Sequence, residues 1–276
     1  MMFEIILKKG AVKFLLQYMT VLLLLYFINI FANRLQKPIL ALTKQQSATN
    51  FQSSFLKIFN FGQKRLISSF IWVNTLIESD LEHYNNKDLN SWMFHRFKSI
   101  IEIDPEFYKA YLYGGQYLSV IKDDAVGAEY LYKKGIEKFP EDFWLRFYAG
   151  FHYLNEIGDL DAAYEQYYKI KDHPITKQQF PYLPGLISRI KAEQNQLETA
   201  YELIEMAYHE ASEGTPLKAR YKESLYSIRS MIDLNCLNSK KDNCRRDDYY
   251  GNKYILDANG EFKAAIKWAP FKLYKK

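Results

Sequence analysis

Few side chains in this sequence have the type and spacing that chemistry needs. Five histidines occur, at His83, His95, His152, His173 and His209, and no two stand at the i, i+4 spacing that presents paired metal ligands on one helix face. No HExxH, CxxC, Gly-rich phosphate loop or Gly-x-Ser-x-Gly elbow is present. His152 lies in an aromatic run and reads as a packed side chain, not a catalytic one. The acidic pairs Glu141-Asp142 and Asp159-Asp161 fall at an expected helix start and an expected turn. Carboxylates there satisfy free amide groups, which is structural work. No catalytic residue, metal ligand or cofactor is therefore expected, and the chain is not read as an enzyme.

Two cysteines remain, Cys236 and Cys244, at the ends of CLNSKKDNC. Without clustered histidines they make a poor metal site. A disulfide is the economical use of them if this part of the chain lies outside the reducing cytoplasm. The other capable residues are recognition residues. Tyr108, Tyr111, Gln116, Arg146 and Asn155 fall on the first helices of two expected helix pairs, which would line a concave protein-binding groove. Tyr and Arg anchor interfaces well when exposed. For Tyr111 the pattern favours the core over the groove.

These residues are positioned by a repeat. Pro105, Pro140 and Pro174 stand 35 and 34 residues apart, each after an amphipathic segment. Gly115 and Gly150 hold matching places, and small residues recur at Ala128 and Ala162-Ala163. Aromatic residues mark one face of each first helix, as in Phe107-Tyr108-Tyr111-Leu118 and Phe143-Phe147-Tyr148-Phe151. Glycine and alanine let the paired helices approach, and proline stops the second helix of each pair. A period near 34 with these landmarks reads as a helix-turn-helix array.

The sequence thereby resembles the tetratricopeptide repeat family, in the form of a bacterial membrane-anchored protein. Gly115, Ala128, Tyr132, Gly135 and Pro140 match the family pattern well; Gly150, Ala162, Gln166, Lys169 and Pro174 match it less well. A one-residue slip to Ala163 and Tyr167 repairs part of the second set. The resemblance implies an all-α, right-handed α-solenoid of such helix pairs and supplies no activity. A divergent first unit precedes Pro105, with Leu66, Phe70, Val73 and Ile77 as one apolar stripe and a second helix from about Leu89 to Ile103. Asp123-Asp124 and Gly158-Asp159 are expected as inter-helix turns. After Pro174 the pattern is irregular, because Pro181, Pro184 and Gly185 require a loop or a late helix start. A last helix over Leu217–Leu234 closes the array.

The ends of the chain differ from its middle. Residues 1–70 carry nine Lys or Arg against one Asp or Glu, residues 71–239 carry 18 against 26, and residues 240–276 carry ten against five. An acidic middle between basic ends does not suit a nucleic-acid groove, so nucleic acid is not expected as a partner. Residues 14–32 run without a charge after Lys8, Lys9 and Lys13. Such a run can just cross a hydrocarbon layer of about 30 Å, and it predicts an uncleaved transmembrane helix with the N-terminus inside. The expected order is a basic N-terminus (1–13), a transmembrane helix (14–32), a linker and capping segment (33–61), the repeat domain (62–234) and a C-terminal tail (235–276). Within the linker, Phe55–Phe61 either lies on a membrane surface or, the favoured reading, caps the first repeat. In the tail, Ala258-Asn259-Gly260 between two apolar runs predicts a small β-hairpin.

The expectation from sequence is thus a single-pass bacterial inner-membrane protein with a periplasmic repeat domain. Its partners would be other membrane or periplasmic proteins, and the lipid bilayer through residues 14–32. Its work would be to scaffold or assemble an envelope complex. The alternatives are an accessory subunit of a membrane transporter, and a tethered peptide- or glycan-binding module.

Overall fold

The computed structural model describes residues 17–30, 53–58, 61–79 and 91–273, and the chain divides into two units, Met1–Thr43 and Lys44–Lys276. In the first unit residues 17–30 form a helix, α1. Among the described residues no helix is long and apolar enough to cross a membrane. The expected span over 14–32 is corrected on that finding. The bilayer partner, the inner-membrane placement and the periplasmic repeat domain rested on the span and are corrected with it. The flanking charges invoked for it, from Lys8 to Lys37, lie outside the described residues.

The second unit is built from paired helices. A short helix α2 (Ser53–Ile58) leads to α3 (Lys64–Ser79), which pairs with α4 (Trp92–Ile103). The next pairs are α5 (Tyr108–Gln116) with α6 (Ala125–Lys138) and α7 (Phe143–His152) with α8 (Leu160–Lys169). A short α9 (Pro174–Gln179) precedes the pair α10 (Leu183–Glu193) and α11 (Leu197–Glu210), and α12 (Pro216–Asn238) packs on α11. Segment 80–90, with Tyr84-Asn85-Asn86, lies outside the described residues.

The turns obey simple backbone chemistry. Asp124 Oδ1 accepts the Gly127 amide at 2.9 Å and caps α6, and Asp159 Oδ1 accepts the Ala162 amide at 2.9 Å and caps α8. Asp124 also reaches back, its Oδ2 accepting the Ser91 amide at 2.8 Å, so one carboxylate ties the start of α4 to the start of α6. One residue in each inter-helix turn is left-handed: Asp123, Gly158 and Asn195.

The core period is 35 residues, not 34. The first helices α5 and α7 each end in a five-residue π turn, Tyr117–Ile121 and Tyr153–Ile157. A π turn takes one residue more per hydrogen bond than an α turn, which accommodates the extra residue. Gly115, Ala128 and Tyr132 therefore correspond to Gly150, Ala163 and Tyr167. Ala163 and Tyr167 are buried while Ala162 is only partly covered, so the α7–α8 pair uses the slipped register. Pro174 also differs from its expected role. Helix α8 already ends at Lys169, and Pro174 opens α9 at its first turn.

The glycines set the pair spacing. A Cβ on Gly115 would stand 2.7 Å from the Tyr132 ring, and one on Gly150 would stand 2.8 Å from the Tyr167 ring. Both rings are almost wholly buried. Only glycine admits them.

The array is closed at its C-terminal end. Residues after α12 fold back, with Phe271 buried against the cluster around Ile204, Leu225 and Ile228. Cys236, in the last turn of α12, is bonded to Cys244. Strands β1 (Ile255–Leu256) and β2 (Phe262–Lys263) pair antiparallel, with Ile255 opposite Lys263. Asn238 clamps β2, donating to the Phe262 carbonyl at 3.1 Å and accepting the Phe262 amide at 2.7 Å. In the hairpin loop only Gly260 is left-handed, so Asn-Gly forms no two-residue turn of mirror type. Asp257 Oδ1 instead accepts the Asn259 and Glu261 amides and widens the loop.

The spacing argument predicts a contrast between glycines. Gly150→Ala is expected to cost about 1–3 kcal/mol by overpacking against Tyr167. Gly185→Ala, whose new Cβ would lie 3.5 Å from the nearest ring atom, is expected to be neutral or to stabilise by up to about 1 kcal/mol through helix propensity. Urea denaturation of both variants checks this; equal effects would refute it.

Candidate functional site

The five residues expected to line a groove are mostly occupied within the fold. Tyr111 is buried, and its hydroxyl donates to the Pro105 carbonyl at 3.1 Å. Burial, with Glu106 and Asp104 nearby, pushes its pKa up to about 12. Arg146 stands 35 residues later and does the same work in the next pair. Its Nε donates to the Pro140 carbonyl at 2.8 Å and an Nη donates to Gln166 Oε1 at 2.9 Å, with both side chains buried. Tyr108 is half-buried and donates to Asp142 Oδ1 at 3.0 Å, the same oxygen that accepts the Leu145 amide to cap α7. Gln116 is half-buried, and Asn155 is exposed, its amide donating to the Phe151 carbonyl of its own helix. Tyr111 and Arg146 thus belong to the interior, because each supplies the donor that the carbonyl of a pair-starting proline needs.

His152 is wholly buried. Its Nε2 lies 3.0 Å from the Ala125 carbonyl, which can only accept, so that nitrogen carries the proton. Nδ1 then accepts from the Ser119 hydroxyl at 2.8 Å. The imidazole joins the end of α5, the start of α6 and α7. Burial depresses its pKa, opposed by the Ala125 hydrogen bond and by Glu129. Among the described residues no group of three or more His, Cys, Asp or Glu side chains is placed to hold a metal ion.

A broad concavity lies elsewhere. Pro181 and Pro184 lack the amide hydrogens that a continuous first helix in the fourth pair would need, so it breaks into α9 and α10. Phe180 pins the break, its ring tilted 4.5 Å from that of Phe147 and stacked 5.8 Å from that of Phe143 on α7. Tyr221 on α12 closes it from the other side, donating to the Pro181 carbonyl at 2.7 Å. Burial, with Glu210 near, pushes the Tyr221 pKa up to about 12, so the hydroxyl keeps its proton.

The break leaves an open cleft of about 630 Å³ between α9, α10, α11 and the start of α12. Its apolar lining includes Pro184, Ile187, Leu203, Met206 and Leu217. Its rim carries both signs, with Lys171 bonded to Asp172 at 2.6 Å, Lys177 and Glu210. Met206 is 51% exposed although it is a large apolar side chain, and it stands over the cleft. None of the five expected groove residues lines this cleft. The signal for it in the sequence was the irregularity at Pro181, Pro184 and Gly185.

No protein-family model matches the chain, and neither a curated protein nor a solved structure matches it. The resemblance to membrane-anchored tetratricopeptide proteins therefore does not become a family assignment. The findings support an all-α arrangement of paired helices, of solenoid type, with a small antiparallel hairpin. They give no support to membrane anchoring, to a transporter subunit or to glycan binding.

The buried imidazole makes a pH prediction. The folded pKa of His152 lies below its ordinary value of 6.5, so the unfolded chain binds a proton that the folded chain refuses. Its contribution to stability is complete above about pH 6.5 and is lost as pH falls through the folded value. Urea midpoints measured against pH are expected to fall on acidification below about pH 6.5, and to fall less steeply in His152→Gln. An unchanged slope in that variant would show that the imidazole is not the responsible group.

Proposed function

We propose that this chain is a protein-binding helical array, and that the cleft beside the broken fourth pair holds an apolar segment of the partner. The observation that carries this reading is the cleft itself, with its apolar floor, mixed-charge rim and exposed Met206. Its volume falls in the range of built binding pockets, and a floor of unbranched and branched aliphatics suits a short apolar anchor. Met adapts to different side chains because its thioether is flexible and polarizable. The rim carries no single dominant sign, so charge serves to orient the segment more than to attract it. The buried polar residues described above are spent on joining helices, and the reading is one of binding without catalysis.

Peptide display against the full chain tests this. Selected peptides are expected to carry a large apolar residue and to bind wild-type protein. Leu203→Asp and Met206→Asp are each expected to weaken binding at least about tenfold, which is about 1.4 kcal/mol. Lys133→Ala, exposed on α6, is expected to leave binding unchanged. If the selected peptides bind the two cleft variants as well as wild type, the cleft is not the site.

A further inference from the structure

The second unit carries three methionines, Met93, Met206 and Met231, and their surroundings differ. Met93 on α4 is wholly buried. Met231 on α12 is half-buried, and its sulfur accepts the Phe271 amide at 3.3 Å. Met206 on α11 is 51% exposed and lines the cleft. Leu203, Met206 and Glu210 fall at i, i+3 and i+7, one face of α11, and all line the cleft. A thioether open to solvent is oxidised by peroxides to the sulfoxide, while a buried one is shielded. The chain's two cysteines are bonded to each other, so no free thiol competes for the oxidant.

We infer that Met206 is an oxidation site, and that its sulfoxide turns the cleft from an apolar surface into a polar one that holds the partner segment less tightly. The oxidant is hydrogen peroxide. A sulfur lone pair attacks one peroxide oxygen, the O–O bond breaks and a sulfur–oxygen bond forms. The proton on the transferred oxygen passes to the departing one, which leaves as water. Sulfur is oxidised by two electrons and the peroxide is reduced by the same two. The new oxygen is a hydrogen-bond acceptor on a formerly apolar side chain. Of the hydroxyls that line the cleft, those of Thr176, Thr215 and Tyr221 already donate to the Ile170, Ser212 and Pro181 carbonyls. An apolar anchor seated on the sulfoxide buries its oxygen away from water, and that costs affinity. The change is reversible: a dithiol, used by a sulfoxide reductase, removes the oxygen as water and is itself oxidised to a disulfide. The loss of affinity rests on reading the cleft as a binding site; the oxidation of Met206 does not.

Two measurements on the full chain test it. Hydrogen peroxide is applied in steps and each methionine is followed by mass spectrometry. Met206 is expected to gain its oxygen at least about tenfold faster than Met93 or Met231. Met19 in the first unit is 53% exposed and is oxidised as well, so affinity for a display-selected peptide is read in wild type and in Met206→Leu. Peroxide is expected to raise the wild-type dissociation constant at least about fivefold, through the buried polar oxygen. A sulfoxide reductase with dithiothreitol is expected to restore it, and dithiothreitol alone is not. The Met206→Leu dissociation constant, whatever its starting value, is expected to be the same before and after peroxide. Oxidation of Met93 or Met231 as fast as Met206 would overturn the assignment of the site. An unchanged affinity of the Met206 sulfoxide, with Leu203→Asp still weakening binding, would overturn the control and leave the cleft as the binding site. If Leu203→Asp has no effect, or display yields no peptide, the cleft reading has failed and the control falls with it.

Discussion

In two successive helix pairs, a tyrosine ring lies against a glycine Cα where any side chain would collide. Tyr132 on α6 occupies the notch at Gly115, and Tyr167 on α8 occupies the notch at Gly150. A glycine inside a helix ordinarily costs about 1 kcal/mol against alanine. Here that cost is offset by burying a whole aromatic ring at close range. The contact fixes how near the two helices of a pair stand, and the 35-residue interval repeats it. The fourth pair, α10 with α11, is built without it. Gly185 meets a ring from α12 at ordinary distance, and Ile204 fills the core of α11. That is also the pair whose first helix breaks and beside which the cleft opens.

Buried polar groups then join helices both within and between the pairs. Asp124 ties α4 to α6, His152 ties α5 and α6 to α7, and Arg146 with Gln166 ties α7 to α8. Ser188 on α10 donates to the Ala200 carbonyl on α11 at 2.6 Å. Each satisfies a backbone group that would otherwise be left without a partner in a dry interior, where that loss costs about 1–3 kcal/mol. Residues that looked reactive or adhesive in isolation are in this way accounted for as parts of the scaffold. What remains for recognition is apolar surface left over by irregularity, in the cleft at Pro181.

The repeat was legible in the sequence because glycine, alanine and proline recur where close helix approach and helix endings demand them. Asp123-Asp124 and Gly158-Asp159 mark the turns for the same local reason, being residues that tolerate left-handed backbone or cap a helix. The slip to Ala163 and Tyr167 was visible only as an alternative, since the π turns that accommodate it leave no compositional mark. On α3 the expected stripe of Leu66, Phe70, Val73 and Ile77 is exposed while Ile71 beside it is buried, because periodicity reports that an apolar stripe exists and not which way it faces. The expected span over 14–32 rested on freedom from charge alone, and among the described residues no helix is long and apolar enough to cross a membrane. Tyr111, favoured for the core, is there, while the interior role of Arg146 went unread because its partner, the Pro140 carbonyl, is a backbone group that no side-chain pattern announces.

The account rests most on the notch between glycine and tyrosine, and a double-mutant cycle at Gly150 and Tyr167 measures it directly. If the ring fills space that only glycine leaves open, Gly150→Ala should cost much less in a Tyr167→Leu background than in wild type. The coupling would then lie in the range of about 0.5–3 kcal/mol seen for residues in contact. Additive losses, within about 0.5 kcal/mol, would contradict the claim that this contact sets the spacing of the pairs.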